Sequence, residues 1–355
     1  RKIQKLSFLS EAKPFEINFS DNGRANLYFY LEKENSNRIG GLIGFVSDEN
    51  QSLQLTGNFD LLLNNAFHHG ETMEIHWERI EEQTQQLDLK VTYPYLFFQR
   101  MGIRLQGNLL KQDTSYLTAQ MHVGFPVEIG SNQEIEIFGT FKNSQVISSG
   151  GGFEQDYRNS RQRLYGLGYN VNTLNYELNP SSGLLLNTRL SLGNKKTPGA
   201  RSVHFESDFT CSWYQTISSS WVIKSSLHSS YMQSWQKKDG SGRFAQNELF
   251  RFGGNQLLRG FQEQNFYAFA YAVATLELRY LLGRNSNLLV FYDGGYYHND
   301  LEHRINEDYP MGIGAGVHLD TGRGLISLSY ALGRDSNSNF EVKNAKIHVG
   351  YINKF

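Results

Sequence analysis

The chain has 355 residues, and its 34 basic and 35 acidic side chains give a formal net charge of −1. A near-neutral chain lacks the basic surface that nucleic acids require, so we expect no nucleic-acid partner. The single cysteine, Cys211, excludes an internal disulfide framework and a cysteine metal cluster. We expect no metal and no cofactor.

The composition is typical of a membrane β-barrel. Mean hydropathy is −0.48, and the sequence has no uninterrupted apolar run of about 18 residues that would form a transmembrane helix. A membrane barrel shows lipid only every second side chain, so its mean hydropathy resembles that of a soluble protein. Aromatic residues make up 14% of the chain, with 34 glycines but only 6 prolines, as expected for strands joined by glycine-rich turns.

Residues 1–35 differ from the rest of the chain. Pro14–Phe19 and Ala25–Lys33 are predicted strands, joined by the turn Asp21-Asn22-Gly23. Because two strands alone do not form a stable unit, we interpret them as the end of a periplasmic domain whose remainder lies upstream of Arg1. The alternative is an N-terminal plug or an extra strand.

Residues 36–355 predict an all-β domain, a transmembrane antiparallel barrel of about sixteen strands. An even number lets both ends of the chain meet on one side of the membrane. The predicted strands are Arg38–Asp48, Ser52–Asn65, Glu71–Ile80, Gln86–Phe97, Gly102–Lys111, Ser115–Val127, Gln133–Asn143, Arg163–Asn172, Gly183–Gly193, Ser202–Ile217, Ser220–Gln233, Ala270–Leu282, Asn287–His298, Gly312–Asp320, Gly324–Gly333 and Ala345–Phe355.

The connections alternate in length. Short ones such as Gly283–Ser286 predict periplasmic turns, and long ones such as Ser144–Gln162 predict extracellular loops. The longest runs over about 234–269, and a loop beyond about 15 residues in a compact domain is usually functional or disordered.

This long loop contains Leu257, Leu258 and Phe261, apolar residues that are unusual in a surface loop. They flank a lone arginine, Arg259, which predicts a loop folded back into the barrel lumen. The alternative is an ordinary glycine-rich surface loop. A desolvated guanidinium needs a carboxylate partner, and a bidentate pair would be strong and orienting.

Glu277 and Asp293 are the candidate partners of Arg259. Both lie on the predicted lumen faces of the next two strands, where adjacent antiparallel strands would bring them within reach of one guanidinium. The alternative is that both are ordinary solvated charges of the lumen.

At these residues the sequence resembles a known family. Leu258-Arg259-Gly260-Phe261 is similar to the V-R-G-F/Y loop motif of the BamA and TamA insertases, which two-partner secretion transporters share. Phe252-Gly253-Gly254 and the run from Val290 to Gly295 resemble the flanking patterns, and the resemblance covers residues 38–355. Residues 1–35, with the run from Leu27 to Lys33, look like the end of a polypeptide-transport-associated (POTRA) domain. The resemblance implies that the loop arginine contacts acids matching Glu277 and Asp293, and so locks the loop.

The resemblance further implies a weak lateral seam between the first and last strands. The residues that match this gate are Gly40, Gly41, Gly44, Gly350, Tyr351 and Phe355. Glycine in a strand costs about 0.5–1 kcal/mol relative to alanine, so the seam would open toward lipid and template an incoming strand. Simple strand bending is the alternative role of these glycines. Phe355 and Gly350 also match the family's C-terminal insertion signal, whereas Asn353 departs from it.

The implied protein inserts other barrel proteins into the bacterial outer membrane, with its N-terminal region periplasmic and no covalent chemistry. Its partners would be nascent outer-membrane proteins, accessory lipoproteins or other assembly subunits, and outer-membrane lipid. A polypeptide-secretion transporter of the same superfamily is the second hypothesis, and a porin or an outer-membrane enzyme the third. The sequence has no H-E-x-x-H or G-x-S-x-G motif, and His68-His69 before Gly70 is interpreted as a solvated turn.

Overall fold

The computed structural model describes residues 8–20, 24–47, 53–80, 83–98, 100–147, 157–176, 178–236, 240–241, 244–301, 304–321 and 324–354. The predicted turn at residues 21–23 and the gate residue Phe355 lie outside these ranges. Among the described residues, no helix is both long and apolar enough to cross a membrane.

Sixteen antiparallel strands close into a barrel, which confirms the predicted fold class. Each strand pairs with its neighbour in the sequence, and the last pairs with the first. The strands are β1 (Arg38–Ser47), β2 (Leu53–Asn64), β3 (Thr72–Arg79), β4 (Gln85–Phe98), β5 (Met101–Gln112), β6 (Tyr116–Glu128), β7 (Gln133–Val146), β8 (Ser160–Asn172), β9 (Gly183–Thr197), β10 (Ala200–Ser218), β11 (Trp221–Gln236), β12 (Ala270–Leu281), β13 (Asn287–Leu301), β14 (Met311–Asp320), β15 (Leu325–Arg334) and β16 (Lys346–Lys354).

Alternation along each strand separates an apolar exterior from a polar lumen. In β16, Ile347 and Val349 are 49% and 44% exposed, whereas His348 between them is buried. In β13, Val290 and Tyr292 face outward and Asp293 is buried in the lumen. This apolar-out, polar-in pattern is the reverse of a soluble barrel and fits one that sits in lipid.

Several strands are longer than the sequence predicts. β8 begins at Ser160 rather than Arg163, β9 continues to Thr197, and β11 continues to Gln236. The residues added to β8 and β9 are polar, so the apolar signal of these two strands stops before the backbone pairing does. β13 likewise runs to Leu301, where it pairs with a short strand, Arg304–Asp308.

The N-terminal hairpin and the longest connection lie outside the barrel wall, as does a 3-10 turn at Val342–Asn344. Leu9–Phe19 and Ala25–Lys33 form a separate antiparallel hairpin joined to β1 through residues 34–37. We call the barrel end at this junction the hairpin end and the opposite end the loop end. The long connection between β11 and β12 starts at the loop end and contains a 3-10 turn, Gln246–Glu248, and a small two-stranded sheet, Phe250–Phe252 with Phe266–Ala268.

Candidate functional site

The connection between β11 and β12 builds a small apolar core of its own inside the barrel. Leu258 is fully buried and packs with Phe252, Phe261 and Phe266 against strand residues. The Phe252 ring stacks on Tyr271 of β12 at 4.3 Å between centroids, with the rings nearly parallel. Such aromatic pairs stabilise a contact beyond their buried area, so the loop is anchored to the barrel wall.

This core holds Arg259 against two strands. Its Nε and Nη2 donate hydrogen bonds of 2.8 and 2.7 Å to the two carboxylate oxygens of Asp293 on β13. Nη1 donates a 2.8 Å bond to Glu277 on β12, and the guanidinium lies 3.5 Å from the centroid of the Phe291 ring. The backbone N–H of Arg259 also donates to Asp293 at 3.0 Å. The structure therefore brings together the three charged residues that the sequence paired.

Glu277 joins Arg259 to the barrel wall. Its Oε1 also accepts from Lys224 of β11 at 3.2 Å, and its Oε2 accepts two bonds from Arg279 at 2.8 and 2.6 Å. The Glu277 and Asp293 side chains are 3% and 0% exposed. Two carboxylates thus share three cations, which leaves one excess positive charge and stiffens three adjacent strands.

Gly260 lets the loop backbone touch the wall directly. Its φ of +95° is a left-handed conformation that L side chains rarely adopt. A Cβ on Gly260 would lie 2.5 Å from the carbonyl carbon of Leu332 on β15. Glycines on the wall, Gly312 of β14 and Gly333 of β15, provide the space. These two are register partners, and Gly312 also faces Asp293.

A second ionic contact anchors the start of the loop. Glu248, in the 3-10 turn, accepts from Arg158 at 2.7 Å and from Lys195 of β9 at 2.8 Å. Its neighbour Asn247 donates to Ser144 and to the Arg158 carbonyl oxygen, each at 2.8 Å. Burial opposes ionisation of Glu248, but Lys195 and Arg158 outweigh it and hold its pKa below the usual range. The loop is therefore tied to β7, β9 and the connection between β7 and β8.

A buried acid supports the tip of the loop. Glu263 accepts a 2.7 Å hydrogen bond from the backbone N–H of Asn255, and its carboxyl fills the space beside Gly254. Burial and, to a smaller extent, the nearby Glu78 raise the pKa of Glu263 to about 7, although the hydrogen bond from Asn255 acts to lower it. The next residue, Gln264, donates to Glu78 and Gln86, so the tip also contacts β3 and β4.

Two cavities of the lumen lie against the described loop. One of about 300 Å³ lies beside Arg259, and one of about 260 Å³ lies beside Glu263. The loop residues 255–257 and the side chain of His348 on β16 line both cavities.

The first and last strands form a closed seam. β16 pairs with β1 over seven register positions, and a glycine occupies one side of four of them. The pairs are Gly44 with His348, Gly350 with Leu42, Gly41 with Tyr351 and Gly40 with Ile352. A Cβ on Gly40 would lie 3.0 Å from the Tyr351 carbonyl oxygen. Of the predicted gate residues, Phe355 alone lies outside the described residues.

Sequence reasoning missed Glu248, Glu263 and the wall glycines Gly312 and Gly333. Glu248 stands in no recognisable motif, and its partners Arg158 and Lys195 are more than 50 residues away. The wall glycines stood in predicted strands, where nothing local showed that a loop would pass over them. The signal that was available for Glu263 was its place in a segment rich in apolar residues.

Known proteins are similar to this chain in domain family and in fold. Residues 65–351 match the Omp85 superfamily domain. The crystal structure of BamA from Haemophilus ducreyi lacking POTRA domains 1–3 is similar at a TM-score of 0.64 and 15% identity, covering 98% of this chain and 76% of that one. CdiB from Acinetobacter baumannii matches at a TM-score of 0.66 and 12% identity, covering 98% of this chain and 66% of that one. CdiB from Escherichia coli matches at a TM-score of 0.63 and 12% identity, covering 99% of this chain and 69% of that one.

No curated protein sequence matches the chain. The solved structures share its fold at low identity, and the domain match spans most of its length. The chain belongs to the Omp85 superfamily.

Proposed function

We propose that this protein inserts β-barrel proteins into the bacterial outer membrane through the seam between β1 and β16. The reaction involves no covalent chemistry, because burial of a closed barrel in the bilayer is favourable and leaves every backbone group paired. Nascent outer-membrane proteins are the clients. Residues 1–35 are assigned to the end of a periplasmic POTRA domain, which places the hairpin end of the barrel in the periplasm.

The glycine content of the seam is the observation that carries this proposal. Glycine contributes no side-chain packing to a strand pair and loses more backbone entropy on ordering than any other residue. Four of the seven seam positions contain one. Opening the seam therefore exposes two edges at a lower cost than opening a pair such as β10–β11, which has sixteen register positions. An exposed edge is a template for an incoming strand.

The loop gives this seam a stable frame. Arg259 ties the loop to β12 and β13, its backbone rests on β14 and β15, and Gln264 reaches β3 and β4. The strands on both sides of the seam are thus braced from the lumen while β1 and β16 are joined by glycine-rich pairs. We assign Leu258, Arg259, Gly260 and Phe261, with Glu277 and Asp293, to this lock.

A secretion transporter of the same superfamily is the second candidate, and it would pass its substrate through the lumen. The described loop leaves cavities of about 300 and 260 Å³ there, too small for an extended polypeptide without displacement of the loop. This observation favours the seam as the working surface.

A disulfide across the seam tests the proposal. Ile43 and Val349 are directly paired and exposed on the outer face, so cysteines there would lie within disulfide distance. In a Cys211→Ser background, Ile43→Cys with Val349→Cys should abolish assembly of client barrels in vesicles, and a reductant should restore it. The matched control joins Ala315→Cys to Tyr330→Cys, a paired position between β14 and β15.

The insertase and the secretion transporter predict opposite effects of the seam disulfide on client insertion. Loss of client insertion with the seam lock, and normal insertion with the control lock, supports the insertase. Full activity of the seam-locked protein would refute a lateral gate. Depletion in the host separates the candidates further, because an insertase should affect many unrelated barrels and a transporter one secreted partner.

A further inference from the structure

The outer wall of β7 to β10 carries a row of basic side chains near the loop end. Arg161 of β8 is the register partner of Lys196 of β9, and Lys196 is the register partner of Arg201 of β10. Arg163 stands two residues below Arg161 on the same strand face. All four side chains are exposed, and we call them the basic row.

Alternation shows that the basic row faces away from the lumen. The neighbours Gln162, Lys195 and Ser202 are 2%, 3% and 8% exposed and point to the interior. Arg161 and Lys196, which flank the first two in sequence, must therefore point outward. The row lies at the membrane-facing surface and not in the loop cluster above the lumen.

Directly below the basic row, the same faces become apolar. Two positions beyond Arg163, Tyr165 of β8 pairs with Leu192 of β9, and Leu192 pairs with Phe205 of β10. Leu192 and Phe205 lie four positions from Lys196 and Arg201 on their own strands. Tyr165 and Leu192 are 61% and 53% exposed, and the next pair, Leu167 and Leu190, is 59% and 50% exposed. A strand rises about 3.3 Å per residue, so Arg163 stands about 7 Å and the other three cations about 13 Å above this acyl-chain surface, at headgroup height.

The row has no acidic counterpart on this wall. Asp and Glu are absent from the outward faces of β7 to β10 as far as the structure describes these strands, and none of the four cations forms an ion pair with a described residue. The described polar contact is a 3.2 Å hydrogen bond from Arg161 to Asn143. Like charges directly opposite on neighbouring strands destabilise a sheet, so three adjacent cations call for an external anion.

We propose that the basic row binds the phosphate groups of a phosphorylated glycolipid in the outer leaflet. Arginine matches phosphate oxygens with a two-pronged donor set, and lysine adds a point charge. The acyl chains of the same molecule would lie along Tyr165, Leu167 and Leu192. The proposal rests on the outer-membrane orientation given under the proposed function, but not on the insertase activity itself.

Binding of purified full-length protein to bis-phosphorylated lipid A, measured in detergent by native mass spectrometry, tests this assignment. Each basic residue near an anionic lipid surface contributes about fivefold in affinity, so neutralising all four as Arg161→Gln, Arg163→Gln, Lys196→Gln and Arg201→Gln should weaken binding at least about tenfold. A triple variant, Arg161→Lys with Arg163→Lys and Arg201→Lys, should retain most of the affinity for the phosphorylated lipid. Arg100→Gln with Arg284→Gln, exposed cations at the hairpin end, is the matched control and should not change it.

The phosphates must be what the protein recognises. Dephosphorylated lipid A should bind the native protein as weakly as the phosphorylated lipid binds the quadruple variant. Equal binding of the phosphorylated lipid to the native protein and the variant, or equal binding of the two lipids to the native protein, would overturn the proposal. If the quadruple variant does not fold, Arg161→Gln with Arg201→Gln is judged by the same criterion. The assay involves no client, so its failure would leave the seam proposal standing.

Discussion

Gly260 of the loop and Gly333 of β15 are in direct backbone contact. A Cβ added to Gly333 would lie 2.5 Å from the Gly260 carbonyl oxygen, and one added to its register partner Gly312 would collide with the Arg259 carbonyl oxygen. The two wall glycines form a notch that receives the loop backbone beside the ionic lock. The guanidinium can reach Asp293 because the backbone that carries it sits this close to the wall.

Filling this notch should displace the loop without breaking the barrel. We expect Gly333→Ala and Gly312→Ala each to destabilise the folded protein by about 1–3 kcal/mol, the usual cost of overpacking. The urea midpoint of the purified protein should fall, and protease should cut within residues 250–269 more readily. Gly107→Ala on β5 is the control, because a Cβ there meets nothing within 4 Å. A Gly333→Ala protein with the native midpoint and the native cleavage pattern would contradict the notch.

Alternation explains why the sequence predicted so much of the wall. An apolar exterior repeats every second residue, so Val349 and Tyr351 mark β16 without knowledge of their neighbours. The same rule placed Glu277 and Asp293 on the lumen face. Strand ends such as Ser160 were missed because pairing continues where side chains are polar.

Contacts between distant segments explain what the sequence could not provide. Glu248 and Lys195 are separated by 53 positions, and neither stands in a pattern with a physical period. The notch depends on Gly312 and Gly333, which in sequence are ordinary strand glycines. Only the closed barrel brings such residues to the surface where the loop folds.

Removing the Arg259 side chain should leave a foldable barrel with impaired function. The strand pairs do not depend on it, but Asp293 and Glu277 would lose the guanidinium that they share. Breaking a buried ion pair costs about 3–5 kcal/mol because the remaining charge is left uncompensated, and here that charge is Asp293, since Glu277 keeps Lys224 and Arg279. We expect Arg259→Ala to lower the unfolding free energy by about that amount and to reduce client insertion. Arg259→Lys should retain only part of the stability and of the insertion activity, since lysine lacks the planar guanidinium that binds a carboxylate through two bonds.

The control for Arg259 is an ion pair on the surface. Lys343 Nζ lies 3.0 Å from Glu341 Oε2, and the two side chains are 76% and 44% exposed. Lys343→Ala should therefore change the free energy of unfolding by at most about 0.5 kcal/mol. Normal client insertion and native stability in Arg259→Ala would remove the lock from the proposed mechanism.

The Glu248 contact should control the start of the loop independently of Arg259. Glu248→Gln removes the charge that Lys195 and Arg158 share, while the side chain keeps nearly the same shape. We expect amide hydrogen exchange in residues 244–249 to accelerate by at least about tenfold, which corresponds to about 1.4 kcal/mol of local stability. A double-mutant cycle with Arg158→Ala should give a coupling of about 1–3 kcal/mol. Unchanged exchange in this segment, or a coupling of zero, would show that the contact does not anchor the loop.

The tip of the loop should hold more tightly in mild acid than in mild base. The pKa of the Glu263 carboxyl is raised from its ordinary 4.5 to about 7 by burial, with Glu78 adding to the rise and His76 opposing it. A raised acid pKa means that the docked loop binds the proton more tightly than the free chain does. The stabilisation that the protonated Glu263 carboxyl gives to the docked loop is therefore complete below about pH 4.5 and is lost as the pH rises through about 7.

Hydrogen exchange of residues 253–264 at pH 5.5 and pH 8, corrected for intrinsic rates, measures this effect. We expect protection to fall at pH 8 by an amount equivalent to about 1–3 kcal/mol. Glu263→Gln stays neutral at both pH values and keeps a polar side chain of the same size, so its protection should change far less. Because His76 and Glu78 are present in both proteins, the difference between them isolates Glu263. An equal loss of protection in the native protein and in Glu263→Gln would assign the pH dependence to another group.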